Sequence, residues 1–300
     1  MSKIFISGLI NVETSLEVDS FPIIYSPIEY PFNKINTSVS GVGYNIAKAL
    51  KTLDDDIDLF SIVGDDLNSE TIRTELHFEE ISDEHLIIYD GDTASSVVLY
   101  DKEGKRKIYC DLKDLQDCPI FYHPTQYIQD PSIYDLAVIT NISYNRPLLS
   151  YFKKEGVCIA TDVHIISDIH DAYNQEFMSM ADILFLSNEG IKGYEADFIK
   201  QLAETYHNQL VVVGLGEEGA LAYQLSSDTF FFQKAEAPLG VKNTVGAGDA
   251  LFSSFIHYYL KTKDIKLSLK YACIFAGIKI ATSGGSNGFI DEDELDQYID

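Results

Sequence analysis

Three residues with little or no side chain stand directly before a carboxylate in Asn243-Thr244-Val245-Gly246-Ala247-Gly248-Asp249, and an apolar helical stretch, Phe252 to Leu260, follows. Small residues at the head of a helix let backbone N–H groups come close to an anion, and the helix dipole adds partial positive charge there. Asp249 falls in the first turn, where it could accept a proton from a hydroxyl attacking that anion. The chemistry this suits is phosphoryl transfer. Taken alone, an Asp at this position is explained more simply by complementing the helix dipole.

Two further polar clusters lie near the N-terminus. Asn11 and Glu13 follow the short apolar run Ile4-Phe5-Ile6, and Ser40-Gly41-Val42-Gly43-Tyr44-Asn45 precedes an amphipathic helical pattern. Gly41 and Gly43 let backbone approach a hydroxylated ligand, and the Asn45 amide both donates and accepts. The plainer readings are a tight turn capped by Asn45 and ordinary loop residues at 11 and 13. Gly214-Leu215-Gly216-Glu217-Glu218-Gly219 spells the G-x-G-x-x-G of a dinucleotide site. That fingerprint must open a helix, whereas Ala220 to Leu225 reads as a strand, and two glutamates would repel pyrophosphate. No P-loop, HExxH or GxSxG sequence occurs. The seven histidines are scattered, which favours surface or core roles.

These residues need a scaffold. Short apolar runs at 4–6, 59–63, 136–139, 157–160, 183–186 and 210–213 read as buried strands. Amphipathic stretches such as Asn45 to Leu53 and Phe198 to Tyr206 suit crossover helices on both faces of a mainly parallel sheet. The expected fold is α/β, doubly wound, over a single domain spanning residues 1–300. Two segments break the rhythm, about 13–36 and 93–112; in the second, Ser96 to Tyr100 and Arg106 to Cys110 flank a turn and predict a hairpin. Strands inserted this way suit a small β-layer over the carboxyl edge of the sheet, acting as a lid.

Composition narrows the partners. Asp and Glu outnumber Lys and Arg 47 to 22, a net charge of -25, so nucleic acid and anionic membranes are not expected. The four cysteines show no metal or disulfide spacing. No run approaches 18 apolar residues and Ile4 to Ile10 is too short for a signal-peptide core, so a cytoplasmic protein is expected.

The Gly246-Ala247-Gly248-Asp249 stretch resembles the C-terminal signature of the ribokinase-like (PfkB) carbohydrate kinases. Ser40 to Ala47 is similar to that family's G-G-x-G-x-N-x-A substrate loop, and Gly8-Leu9-Ile10-Asn11-Val12-Glu13 to its G-x-x-N-x-D. The resemblance implies an ATP-dependent kinase in which Gly246, Ala247 and Gly248 form the anion hole and Asp249 is the catalytic base. It implies that Asn11, Glu13, Gly41, Gly43 and Asn45 face the acceptor, and that Asn188, Glu189, Gly214, Gly216 and Gly219 face the nucleotide with Mg²⁺. Departures are Glu13 for Asp, Ser40 for Gly, Ile191 where a Glu is usual, Gly214 for Thr and Asn243 for Asp. The last leaves dependence on a monovalent cation such as K⁺ open. The substrate loop is also similar to that of pseudouridine kinases, with Tyr44 in place of Arg, so the acceptor is a hydroxymethyl group of a sugar or a nucleoside. Tyr44 would stack on a base or cover the lid hinge. A homodimer through the β-lid is the family habit. The altered positions also admit a non-catalytic sugar- or nucleoside-binding homologue.

Overall fold

The computed structural model describes residues 2–119 and 123–299. In chain order these form β1 (Lys3–Ser7), β2 (Asn11–Glu17), β3 (Ile35–Ser40), α1 (Val42–Thr52), β4 (Asp56–Val63), α2 (Leu67–Phe78), β5 (Leu86–Ile88), β6 (Ser95–Tyr100) and β7 (Arg106–Asp111). Then come β8 (Leu136–Ile139), α3 (Arg146–Lys154), β9 (Ile159–Ile165), α4 (Gln175–Met180), β10 (Ile183–Ser187), α5 (Glu195–Tyr206) and β11 (Leu210–Gly214). The chain finishes with β12 (Ala220–Gln224), β13 (Thr229–Gln233), α6 (Ala247–Thr262), α7 (Ile265–Lys279) and α8 (Glu292–Asp296).

Nine strands make one sheet in the order β13-β12-β11-β10-β9-β8-β1-β4-β5. From β11 to β5 every pairing is parallel, and β12 and β13 extend it antiparallel. The chain winds from β1 toward β5, then returns to β8 and winds the other way. The order therefore reverses between β1 and β8, the place where α/β sheets leave a crevice at their carboxyl ends. Alternate residues of each buried strand feed opposite cores, as period-two geometry requires. Ile4 and Ile6 pack with Tyr44, Ile72, Phe252 and Phe255 on one face, and Phe5 packs with Phe152, Phe177 and Leu202 on the other.

The run read as a strand at 157–160 is displaced: β9 spans Ile159–Ile165 and carries Asp162 and His164 out to the carboxyl edge. Its outer half alternates polar and apolar residues, Asp162-Val163-His164-Ile165, so a search for continuous apolar runs finds only the first part. The two interrupting segments do supply strands. A second, four-stranded sheet has the order β3-β2-β6-β7, with β2 and β6 parallel. Residues 18–34, expected as β-rich, hold no strand and leave Ile24, Tyr25, Tyr30 and Phe32 exposed.

At the base of the small sheet, Asp66 caps α2 by accepting from Ser69 N at 2.9 Å, and it also accepts from Thr93 N and Oγ1 at 2.8 and 2.7 Å. Burial works to raise the Asp66 carboxyl, but the bonds from Thr93 and Ser69 outweigh it and hold the group below its ordinary value. Ser69 completes the capping box.

Candidate active site

Helix α6 begins after Gly246, which adopts φ 78°, ψ 4°. A Cβ there would sit 2.1 Å from the Gly285 carbonyl, so both the backbone conformation and the space require glycine. The preceding turn is fixed by Asn243 Oδ1, which accepts from Val245 N at 2.8 Å. Gly248 faces open space. The first turn thus offers the N–H groups of Gly246 and Gly248 at a helix N-terminus, while Ala247 N donates to the Thr244 carbonyl at 3.3 Å.

Asp249 lies in this turn, and its Oδ2 accepts from Asn45 Nδ2 at 2.7 Å. Burial raises the Asp249 carboxyl above the ordinary aspartate value; the Asn45 bond and the charge of His164 oppose it, Asp162 adds to it and Lys279 opposes it. Asn45 is held in turn. The Ser40 hydroxyl lies 3.4 Å from Asn45 Oδ1 and 3.2 Å from Glu13 Oε2. Asn11, Glu13, Ser40 and Asn45 are all buried. Glu13 is raised by burial, against the pull of Ser40 and Lys279. Glu13 Oε1 and Asn11 Oδ1 are buried acceptors with no partner among the described residues.

The departures at 13 and 40 form one contact. A serine supplies the donor that the longer carboxylate accepts.

Gly41 and Gly43 lie beside this chain of polar groups but pack on backbone. Gly41 caps α1 with φ 104°, and a Cβ on Gly43 would sit 2.5 Å from the Gly8 carbonyl carbon. Tyr44 does not face the cleft: it is fully buried and its hydroxyl donates to Glu75 of α2 at 2.9 Å. A helix places the residue before Asn45 about 100° away, so when Asn45 points into the cleft Tyr44 points into the core.

The residues expected on the nucleotide side lie at and just beyond the ends of β10 and β11. Asn188 is buried and donates to Glu195 Oε1 at 3.2 Å, while Ile191, at the usual Glu position, is a core residue. Glu189 is exposed and meets Arg106 at 3.8 Å. Gly214 closes β11, Gly216 (φ 63°) has nothing near its missing side chain, and Gly219 (φ 121°) packs against the Gln233 carbonyl. A single 3-10 turn at Gly216–Glu218 leads straight into β12, so this G-x-G-x-x-G opens no helix.

Sequence reasoning missed four contributors. Arg106 of β7 crosses from the small sheet to donate to the Thr244 carbonyl at 2.7 Å and its Oγ1 at 3.2 Å, from 138 positions away. Asp162 and His164 bring charge to Asp249 from the outer end of β9. Lys279 ends α7 fully buried, its ammonium donating to the Val245 carbonyl and, at 2.6 Å, to the Gly284 carbonyl. Burial pushes Lys279 down to about 8, against the charges of Asp249 and Glu13. An apolar helix ending in Lys reads as ordinary dipole compensation, so only Arg106-like or Lys279-like contacts in three dimensions reveal such roles.

Residues 1–292 match the sequence profile described as pfkB family carbohydrate kinase. The ATP-dependent ribose-1-phosphate kinase of Halopiger xanaduensis is 24% identical over 283 residues, 91% of this chain and 90% of that protein. The 5-dehydro-2-deoxygluconokinase of Bacillus subtilis is 35% identical over 177 residues, 58% of this chain and 50% of the relative. A microbiome-derived acarbose kinase superposes with a TM-score of 0.82 at 22% identity, covering 99% of this chain and 98% of its own. Among the described residues no helix is long and apolar enough to cross a membrane.

Proposed function

This chain belongs to the pfkB family of carbohydrate kinases, and from that premise we propose that it transfers the γ-phosphoryl group of ATP to a hydroxymethyl group of a sugar or nucleoside, with Asp249 as general base. The observation that carries this reading is the Asn45–Asp249 bond at the head of α6, beside the amides of Gly246 and Gly248. Asp249 takes the acceptor's proton as its oxygen bonds to the γ-phosphorus. The bond from phosphorus to the bridging oxygen breaks and ADP leaves, with the amides holding the phosphoryl oxygens.

Asn11 Oδ1 and Glu13 Oε1 await donors, as buried acceptors do when a ligand's hydroxyls complete them. The two relatives named above act on sugar derivatives, which supports a polyhydroxylated acceptor. Gly214, Gly216 and Gly219 line the nucleotide side, and the four-stranded sheet serves as the lid of a single kinase domain.

Among the described residues no three His, Cys, Asp or Glu side chains gather to hold a metal ion. Mg²⁺ ordinarily uses one or two carboxylates plus phosphates and water, and Asn188 with Glu195 fits that modest demand. Bound there with the triphosphate, it would neutralise charge on the transferring group.

A homodimer through the small sheet accounts for the exposed Val97, Tyr109, Tyr25, Tyr30 and Phe32 and for the open edges at β3 and β7. A monomeric mass at micromolar concentration with activity intact would exclude it. The kinase reading is tested by ADP release from ATP with a panel of sugars and nucleosides, then by Asp249→Asn with the best acceptor. General-base catalysis contributes about 10²- to 10⁴-fold, so kcat should fall by that order with both affinities little changed. A folded variant within about tenfold of wild type would reduce Asp249 to a helix cap.

A further inference from the structure

Lys279 is the only fully buried lysine named above, and its partners are unusual. Its ammonium donates to two main-chain carbonyls, Val245 and Gly284, rather than ending in an ion pair of its own. Val245 immediately precedes Gly246, and Gly284 precedes the Gly285 whose carbonyl packs against Gly246. The ammonium therefore joins the two segments that shape the anion hole from behind, close enough to Asp249 and Glu13 to be favoured by their charge. Burying an ammonium is costly unless it is hydrogen-bonded and near opposite charge, as Lys279 is.

Carbonyl oxygens converging on one point are also what a bound potassium ion would need. Here the point is filled by the chain's own cation. Asn243, which fixes the same turn, is a neutral amide where the resemblance has a carboxylate, so the cradle lacks that anionic ligand for a free ion. A potassium ion does not fit beside an ammonium bonded to the same carbonyls.

We infer that Lys279 is a positioning residue whose ammonium replaces a free monovalent cation beneath the anion hole, so that phosphoryl transfer is independent of potassium. This rests on the kinase reading above. With the acceptor found by the panel, wild-type rates in potassium, sodium and tetramethylammonium chloride at equal ionic strength should agree within about twofold. Lys279→Ala should lose about 10²-fold in kcat, the scale of an anion-hole defect, and regain about tenfold when potassium or ammonium is added. Lys279→Met, which fills the cradle without charge, should lose as much and regain nothing.

Thermal unfolding gives a readout that needs no substrate. Potassium over sodium should raise the Tm of Lys279→Ala, because an ion that binds only the folded state stabilises it, and should leave wild type unmoved. A wild-type enzyme stimulated more than about fivefold by potassium overturns the inference. So does wild-type stabilisation by potassium, or a folded Lys279→Ala that no cation rescues. If Lys279→Ala does not fold, the wild-type salt series alone decides. If wild type phosphorylates nothing in the panel, the kinase reading fails instead, and the wild-type melting series still judges the cation claim.

Discussion

Asn11, Glu13, Ser40, Asn45 and Asp249 come from the small sheet, α1 and α6; Asn45 donates to Asp249, and the single Ser40 hydroxyl proton lies within reach of both Glu13 and Asn45, so polar contacts of 2.7 to 3.4 Å run through the last four. Across the cleft, Glu189 and Gly216 stand at exposed strand ends, and Asn188 is tied only to its neighbour Glu195. The proposed acceptor side is tightly bonded and the proposed nucleotide side is open. Orientation of the attacking hydroxyl sets the rate in phosphoryl transfer, whereas a triphosphate brings its own charge and metal to its side. Rigidity is therefore concentrated where a small misplacement costs most.

Gly246 and Gly216 give the sharpest test, since both have positive φ and only one is packed. Gly246→Ala drives a Cβ into the Gly285 carbonyl and should cost about 10²- to 10³-fold in kcat, the effect of losing one anion-hole donor. Steady-state kinetics beside a melting curve separate this from unfolding. An active Gly246→Ala would break the claim that the acceptor side tolerates no shift.

Asn45→Ala should raise the acceptor KM by roughly tenfold or more and leave the ATP KM nearly unchanged. It should also move the pH profile. As the proposed base, Asp249 would act only when ionised, so the rate should fall as pH drops through its pKa. Burial already places that limb above the ordinary aspartate range, and removing a bond that favours the charged form moves it higher still. Equal loss of both affinities would erase the distinction between the two sides.

Glu13→Asp and Ser40→Gly should each weaken acceptor binding, yet together cost less than their sum. A coupling of about 0.5 to 3 kcal/mol is expected for residues in contact, and strict additivity in isothermal titration would show that they are independent. The smallest effect belongs to Gly216→Ala, with about 1 kcal/mol of left-handed strain and under about threefold in the ATP KM.

Much of the scaffold was legible because a buried parallel strand must be apolar on both faces, as β1, β10 and β11 are. The turn at 243–249 was legible because small residues directly before an Asp and an apolar helix are a local pattern, and Gly246 is required by its space and its φ. Asp162 and His164 were not, since the end of β9 alternates polar and apolar residues and escapes a search for continuous apolar runs. Tyr44 was misread because loop residues near a ligand motif look equivalent in one dimension, while the helix that begins at Val42 separates their directions. Arg106 and Lys279 act through contacts with distant main chain, which no local pattern records.

The register of the small sheet places its four attachments side by side. Asn11 faces Ser40, Val12 faces Ser95 and Ser95 faces Asp111, so every chain crossing to the main sheet lies along one row. The sheet is thereby a lever with its fulcrum at that row. Glu13 is two residues from it, about 7 Å, and Arg106 five residues, about 17 Å, at ~3.3 Å per residue. A rigid tilt of about 10° would carry Arg106 through ~3 Å, enough to release Thr244, while moving Glu13 by ~1 Å. One rotation would thus open the far end of the cleft more than twice as far as the end that holds Glu13, and closing it would bring Arg106 and Glu13 into place together.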